Sequence, residues 1–157
     1  MIETYDDARH RDGVIVLWQA AFGYDAPHNA PTLVIDRKIA VHDQLFFVAS
    51  LQGRVVGTIL AGYDGHRGWL YSLAVDPERR HEGIGTALVG HAEQALARLG
   101  CVKINLQVIG SNRQVADFYQ ALGYAVEDRI SMGKRVPQNI TGVPNAALAP
   151  PPPAATE

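Results

Sequence analysis

Apolar residues along positions 1–136 recur in two rhythms, one with a period near 3.6 and one with a period of 2, and their alternation sets out the elements. Residues 2–5 read as a first strand. Val14, Leu17, Trp18 and Ala21 then return at helical spacing until Gly23, a natural C-terminal stop. A weaker helical pattern over residues 31–41 carries Val34, Ile35, Lys38 and Ile39, with Asn29 as its candidate cap. Residues 45–51 and 54–63 read as strands joined at Gln52-Gly53, where a tight turn needs tolerance of positive φ, so the two pair as a hairpin. After a turn at Tyr63-Asp64-Gly65-His66, residues Trp69, Tyr71, Leu73 and Val75 alternate with Leu70, Ser72 and Ala74. This fourth strand stops before Pro77, which has no amide to donate.

From Gly83 the period changes, and Ile84, Ala87, Leu88, Ala92, Ala95, Leu96 and Leu99 share one helix face up to Gly100. Residues 101–109 read as a fifth strand. Ser111, with Gln114 three positions on, has the capping-box pattern for a helix bearing Val115, Phe118, Tyr119 and Leu122 and ending at Gly123. Residues 124–130 and 132–136 read as a sixth and a short last strand. Strand four, its helix and strand five form a βαβ unit, so those two strands run parallel with a right-handed crossover. The earlier hairpins are antiparallel. The expected fold is α/β (α+β), a mixed, mostly antiparallel sheet with a central parallel pair and helices on both faces.

Composition divides the chain once. Beyond Val136 the sequence is rich in Pro and Ala and has no Lys or Arg, so residues 1–136 are expected to form one domain and 137–157 a disordered tail. A net charge of −2 without a basic cluster argues against a nucleic-acid partner. The N-terminus lacks the basic flank and apolar run of a signal peptide, and no stretch approaches the roughly 20 apolar residues of a membrane span, so the expected setting is cytoplasmic and away from membranes. The single cysteine, Cys101, has no partner for an internal disulfide and reads as a strand residue rather than a nucleophile. His81 and Glu82 run into Gly83 instead of completing HExxH, and no metal is expected.

The chemistry concentrates in Arg80-His81-Glu82-Gly83-Ile84-Gly85-Thr86, where strand four turns into the long helix. A helix's first amides lack internal partners, its dipole adds partial positive charge, and glycines let an anion approach the main chain. A diphosphate suits such a place. The dinucleotide fingerprint fails because Leu88 stands where its third glycine belongs, and no Gly-Lys-Ser or Gly-Lys-Thr supplies a nucleoside-triphosphate loop. Two glycines alone are equally compatible with a plain tight turn.

Residues 73–88, LAVDPERRHEGIGTAL, resemble the acetyl-CoA motif of the Gcn5-related N-acetyltransferase (GNAT) family: Gln or Arg, two residues, Gly, one residue, then Gly or Ala, matched by Arg80, Gly83 and Gly85. Residues 112–124, NRQVADFYQALGY, resemble the family's second signature, and GYDGHRG at 62–68 is similar to its bacterial YpeA-type subfamily. The resemblance implies an acyltransferase that moves acetyl from acetyl-CoA to a primary amine of a small molecule, a peptide or a protein. It further implies that the backbone of Leu73, Ala74 and Val75 pairs with the pantetheine arm between strands splayed to admit it. Arg80 and the amides of His81, Glu82, Gly83, Ile84, Gly85 and Thr86 would hold the pyrophosphate, and Asn112 would contact the cosubstrate. Tyr119 would lie near the sulfur and protonate the departing thiolate, a small step if a phenol near 10 faces a thiol near 8 to 9. Family members also often pair as homodimers.

Several family members use a Glu on strand four or nearby as the base, directly or through water, whereas Trp69-Leu70-Tyr71-Ser72 has no acid. Asp64 and His66 are alternative bases acting through water, or simply parts of a solvated turn. Direct attack in a ternary complex is expected, with an amide near Val75 facing the oxyanion and no acyl-enzyme on Cys101. The acceptor is expected against residues 22–31, which include Asp25 and His28. A module that binds acyl-CoA as a sensor or scaffold, without turnover, is the competing reading.

Overall fold

Five strands lie side by side in chain order in the computed structural model, which describes residues 1–23 and 30–137. They are β1 (Ile2–Thr4), β2 (Phe46–Leu51), β3 (Arg54–Tyr63), β4 (Gly68–Val75) and β5 (Ile104–Leu106). The helices are α1 (Asp7–Phe22), α2 (Pro31–Val41), α3 (Ile84–Arg98) and α4 (Arg113–Ala121). The sheet is antiparallel from β1 through β4 and parallel between β4 and β5, the mixed arrangement expected from the sequence.

Local chemistry explains the boundaries. Asp6 caps α1 by accepting the Arg9 amide at 3.0 Å, and Gly23 ends the helix at φ 57°. Pro31 opens α2 after Ala30, which makes no side-chain cap; the expected cap, Asn29, lies outside the described residues. Gln52 and Gly53 both take positive φ, 49° and 76°, as a two-residue turn of the I′ kind requires. The N-cap of α4 is Asn112, whose Oδ1 accepts the Val115 amide, so the predicted Ser111 capping box does not form.

Strand alternation sends side chains to two cores. On one face Val14, Leu17, Trp18 and Ile35 pack on Phe46, Val48, Leu60 and Ala74; the buried Trp18 indole donates to Thr58 Oγ1 at 2.7 Å. On the other, Leu88, Val89, Ala92, Leu96 and Tyr119 cover Phe47, Ala49, Ile59 and Leu70. Each aliphatic side chain so buried contributes about 1.5–3 kcal/mol before conformational entropy is counted.

The sheet ends sooner than the alternation predicts. Only Ile104–Leu106 of the nine-residue fifth strand pairs, and the sixth and seventh strands are not formed: residues 124–137 have no regular structure. That segment touches the residues flanking β5 through side chains, Lys103 with Glu127 and Gln107 with Ser131. Its apolar positions, Val126, Ile130 and Met132, are all at least 80% exposed. A period of 2 makes a strand only where a neighbour accepts the backbone bonds and a layer buries one face, and neither is present here. Residues 138–157, most of the predicted tail, lie outside the described residues.

Candidate active site

β4 is straight only at its start. Between Leu60↔Tyr71 and Thr58↔Ala74 it carries one residue more than β3, a bulge with Ser72 at φ 51°. Thr58 Oγ1 lies 3.4 Å from the Ser72 carbonyl and so ties this left-handed turn to the buried Trp18 indole. The parallel pairing with β5 stops at Leu70↔Leu106, although β4 runs on to Val75. From Tyr71 onward, among the described residues, no strand pairs with that edge. Leu73, Ala74 and Val75 therefore lie along an opening in the sheet. Strict alternation concealed the bulge, because Ser72 fits an unbroken strand equally well.

Past Val75 the chain makes a short 3₁₀ turn, Pro77–Arg79, capped by Asp76 through the Glu78 amide at 3.0 Å. His81 and Gly83 follow with φ of 67° and 80°, and Gly83 is the N-cap of α3 without a side-chain bond. Left-handed residues interspersed in this way turn successive amides into one concavity. None of the amides from His81 to Thr86 meets a protein acceptor among the described residues. The Arg80 side chain also has no protein partner there, while Glu82 lies 3.6 Å from Arg79. Gly83 is required by its φ. Gly85 is not: a Cβ there would stand 3.4 Å from Phe118 Cζ and 3.6 Å from Val75 Cγ2, ordinary contacts, so its bareness matters only for something approaching from outside. An unfilled donor cradle beside an unpaired strand edge fits a diphosphate with an extended arm.

α4 closes the arrangement. Phe118 packs at Gly85, and Tyr119 joins the core cluster that also holds Leu70, Leu73 and Ile84. The structure thus brings Leu73, Val75, Ile84, Gly85 and Tyr119 together. Tyr119 is only 7% exposed and meets the Phe118 and Tyr124 rings edge-on. Among the described residues its hydroxyl has no hydrogen-bond partner and no fully buried side-chain polar atom is left unpaired, so the hydroxyl is the accessible tip of a buried ring. Burial pushes its phenol up to about 12, which makes complete proton transfer to a thiolate more costly than the sequence reading assumed. Asn112 is exposed, and capping α4 occupies only its carboxamide oxygen.

The two alternative bases lie in the turn before β4, at the opposite end of the strand from the glycine loop. Asp64 accepts the amides of Arg67 at 2.6 Å and His66 at 2.7 Å, and these bonds hold its carboxyl below the usual carboxylate range. That is the chemistry of a turn. Asp25 and His28 lie outside the described residues, as does most of the expected acceptor loop.

A buried cation went unrecognised in the sequence. Lys38, 6% exposed, donates to Asp43 Oδ2 at 2.6 Å and to the Ala61 carbonyl at 2.5 Å, with the Tyr71 hydroxyl at 3.5 Å. Its position three residues after Ile35 on the apolar face of α2 was the available signal. Among the described residues no group of His, Cys, Asp and Glu is placed to hold a metal ion, and no helix is long and apolar enough to cross a membrane.

Known proteins resemble this chain in sequence and in fold. The family model for the Acetyltransferase (GNAT) family matches residues 11–124. An acetyltransferase of Sodalis glossinidius (strain morsitans) is 44% identical over 131 residues, 82% of this chain and 92% of that protein. Among solved structures, Ard1 from Thermoplasma volcanium superposes with a TM-score of 0.71 at 21% identity, covering 81% of this chain and 83% of its own. The PaiA N-acetyltransferase from Thermoplasma acidophilum, in complex with coenzyme A, gives 0.68 at 19% identity, covering 83% and 92%.

Proposed function

The chain belongs to the acetyltransferase (GNAT) family, and on that footing we propose that it transfers acetyl from acetyl-CoA to a primary amine by direct attack in a ternary complex. The observation that carries the reading is the run of unpaired amides from His81 to Thr86 beside the open edge of β4. Those amides and Arg80 receive the pyrophosphate, Leu73 to Val75 pair with the pantetheine arm, and Asn112 makes a side contact from α4. Bound there, acetyl-CoA supplies the acyl group: the acceptor nitrogen bonds to the carbonyl carbon, the carbon–sulfur bond breaks, and the thiol departs with one proton. A β4 amide near Val75 donates to the oxyanion.

Tyr119 donates a hydrogen bond to the leaving sulfur. With its phenol near 12, it stays protonated throughout the working range, and donation rather than full ionisation is its contribution. Asp64 is committed to its turn, so the acceptor amine loses its proton to solvent before attack. The acceptor is a small molecule or a peptide amine, the setting is cytoplasmic, and the YpeA-type assignment rests on the 62–68 turn alone.

Thiol release from acetyl-CoA across an amine panel tests this, with calorimetric titration of CoA alongside. Nanomolar to micromolar binding without release for any amine would replace the enzyme with the acyl-CoA sensor. Acetylated protein after incubation with acetyl-CoA alone would overturn direct transfer.

A further inference from the structure

Alternation along β4 sends Leu70 into the α3 core and Trp69 and Tyr71 to the opposite face. The bulge at Ser72 returns Ala74 to that same face, where Val14, Leu17 and Trp18 of α1 cover it. Their cover stops there: Tyr71 is 43% and Trp69 37% exposed. With Leu70, Ser72 and Gln107 the two rings line a cavity of about 400 Å³, within the size range of small-molecule sites. It lies at the bulge, where the open edge of β4 begins.

The Tyr71 ring is anchored at its hydroxyl end, with Lys38 Nζ over it at 5.8 Å from the centroid, and both rings are partly exposed. Tyr71 lies over Gly62, where a Cβ would stand 3.4 Å from its oxygen, and its hydroxyl sits 3.4 Å from the Ala61 carbonyl and 3.5 Å from buried Lys38. Lys38 is in turn fixed by Asp43. Among the described residues no charged side chain lines the cavity. An amine that carries a flat ring stacks on two partly exposed aromatic side chains, which a straight-chain amine cannot do.

We propose that Trp69 and Tyr71 form the acceptor platform and select an amine bearing a flat aromatic ring, with Lys38 as the positioning residue behind Tyr71. The proposal rests on the acetyl-transfer reading above, and its test separates the two. KM is measured for phenethylamine, butylamine and spermidine at saturating acetyl-CoA. Binding of phenethylamine to the CoA complex is followed independently by Trp69 fluorescence, Trp18 being fully buried. The expected KM for phenethylamine is about fivefold to tenfold below those for butylamine and spermidine. Tyr71→Leu removes that ratio and weakens the fluorescence titration similarly, while the KM for acetyl-CoA stays within about twofold. Should Tyr71→Leu not fold, Trp69→Leu serves for the kinetic ratio. Equal KM values, a preference for spermidine, a ratio that survives the substitution, or no saturable quenching each overturn the platform and leave acetyl transfer standing. Saturable quenching sensitive to Tyr71→Leu, without acetylation of any amine, keeps the platform and removes the transfer reading.

Discussion

Replacing Tyr119 with Phe separates the core role of its ring from the role of its hydroxyl. The ring is buried and meets Phe118 and Tyr124 at centroid distances of 5.0 and 5.5 Å, contacts that Phe retains. Among the described residues the hydroxyl has no partner, so its removal breaks no hydrogen bond there, and the stability change is expected within about 0.5 kcal/mol. Catalysis should respond differently. A phenol near 12 lies about 3.5 pH units above a thiol of 8.5, so complete proton transfer costs about 5 kcal/mol. A hydrogen bond to the charged leaving sulfur contributes roughly 1.5–3 kcal/mol, which is about a 10- to 150-fold fall in kcat on its loss. The assay pairs urea unfolding with steady-state thiol release, and ionisation followed at 295 nm locates the phenol. Its neutral form is favoured in the folded protein, so the associated stability is present below pH 10 and is lost as pH rises from about 10 to 12. A Tyr119→Phe enzyme with wild-type kcat would refute the donor role, and one that unfolds several kcal/mol more easily would show that the hydroxyl has a structural partner.

Other substitutions test other parts of the site. Gly83→Ala places a side chain at φ 80°, costing about 1–2 kcal/mol or forcing the loop to turn, so the Kd for CoA measured by calorimetry should rise about tenfold. In Gly57→Ala the new Cβ would stand 2.8 Å from Leu88 Cδ1 and 2.9 Å from Ile84 Cγ2, pushing the start of α3 away; about 1–3 kcal/mol of stability should be lost in urea titration, with weaker CoA binding. Asp43→Asn leaves the Lys38 charge buried without its counter-ion, at about 2–4 kcal/mol, and Lys38→Met added to it should restore part of that loss. For a simple alkylamine acceptor, kcat/KM should climb about tenfold per pH unit from 7 to 9, because the amine itself limits attack; Asp64 is held low and Tyr119 high, so neither bends the profile. A plateau beginning near pH 6.5 would point to a histidine base instead.

Much of the site was legible in the sequence because its constraints are local. Gly83 and Gly85 marked the turn, and the helical run after them a helix start with spare amides, while the positive φ at Gly83 emerged only in the structure. Tyr119 was recognised through resemblance; its buried ring and accessible hydroxyl were not. Lys38 sat in plain view on an apolar helix face, yet its partner Asp43 and the Ala61 carbonyl come from beyond the helix, and nothing in the helical period announces them.

The division follows from the range of the forces. Strand and helix periods, turn glycines and the amide cradle before α3 depend on neighbours a few residues away, and the sequence by itself determined them. Where the sheet stops, that β4 bulges at Ser72, and that the alternating residues of 124–136 make no strand are decided by long-range pairing and by whether a second layer covers a face. The opening along β4 belongs to this second kind. It exists because β5 gives out at Leu106 while β4 continues to Val75, a difference between two strands that neither segment records on its own.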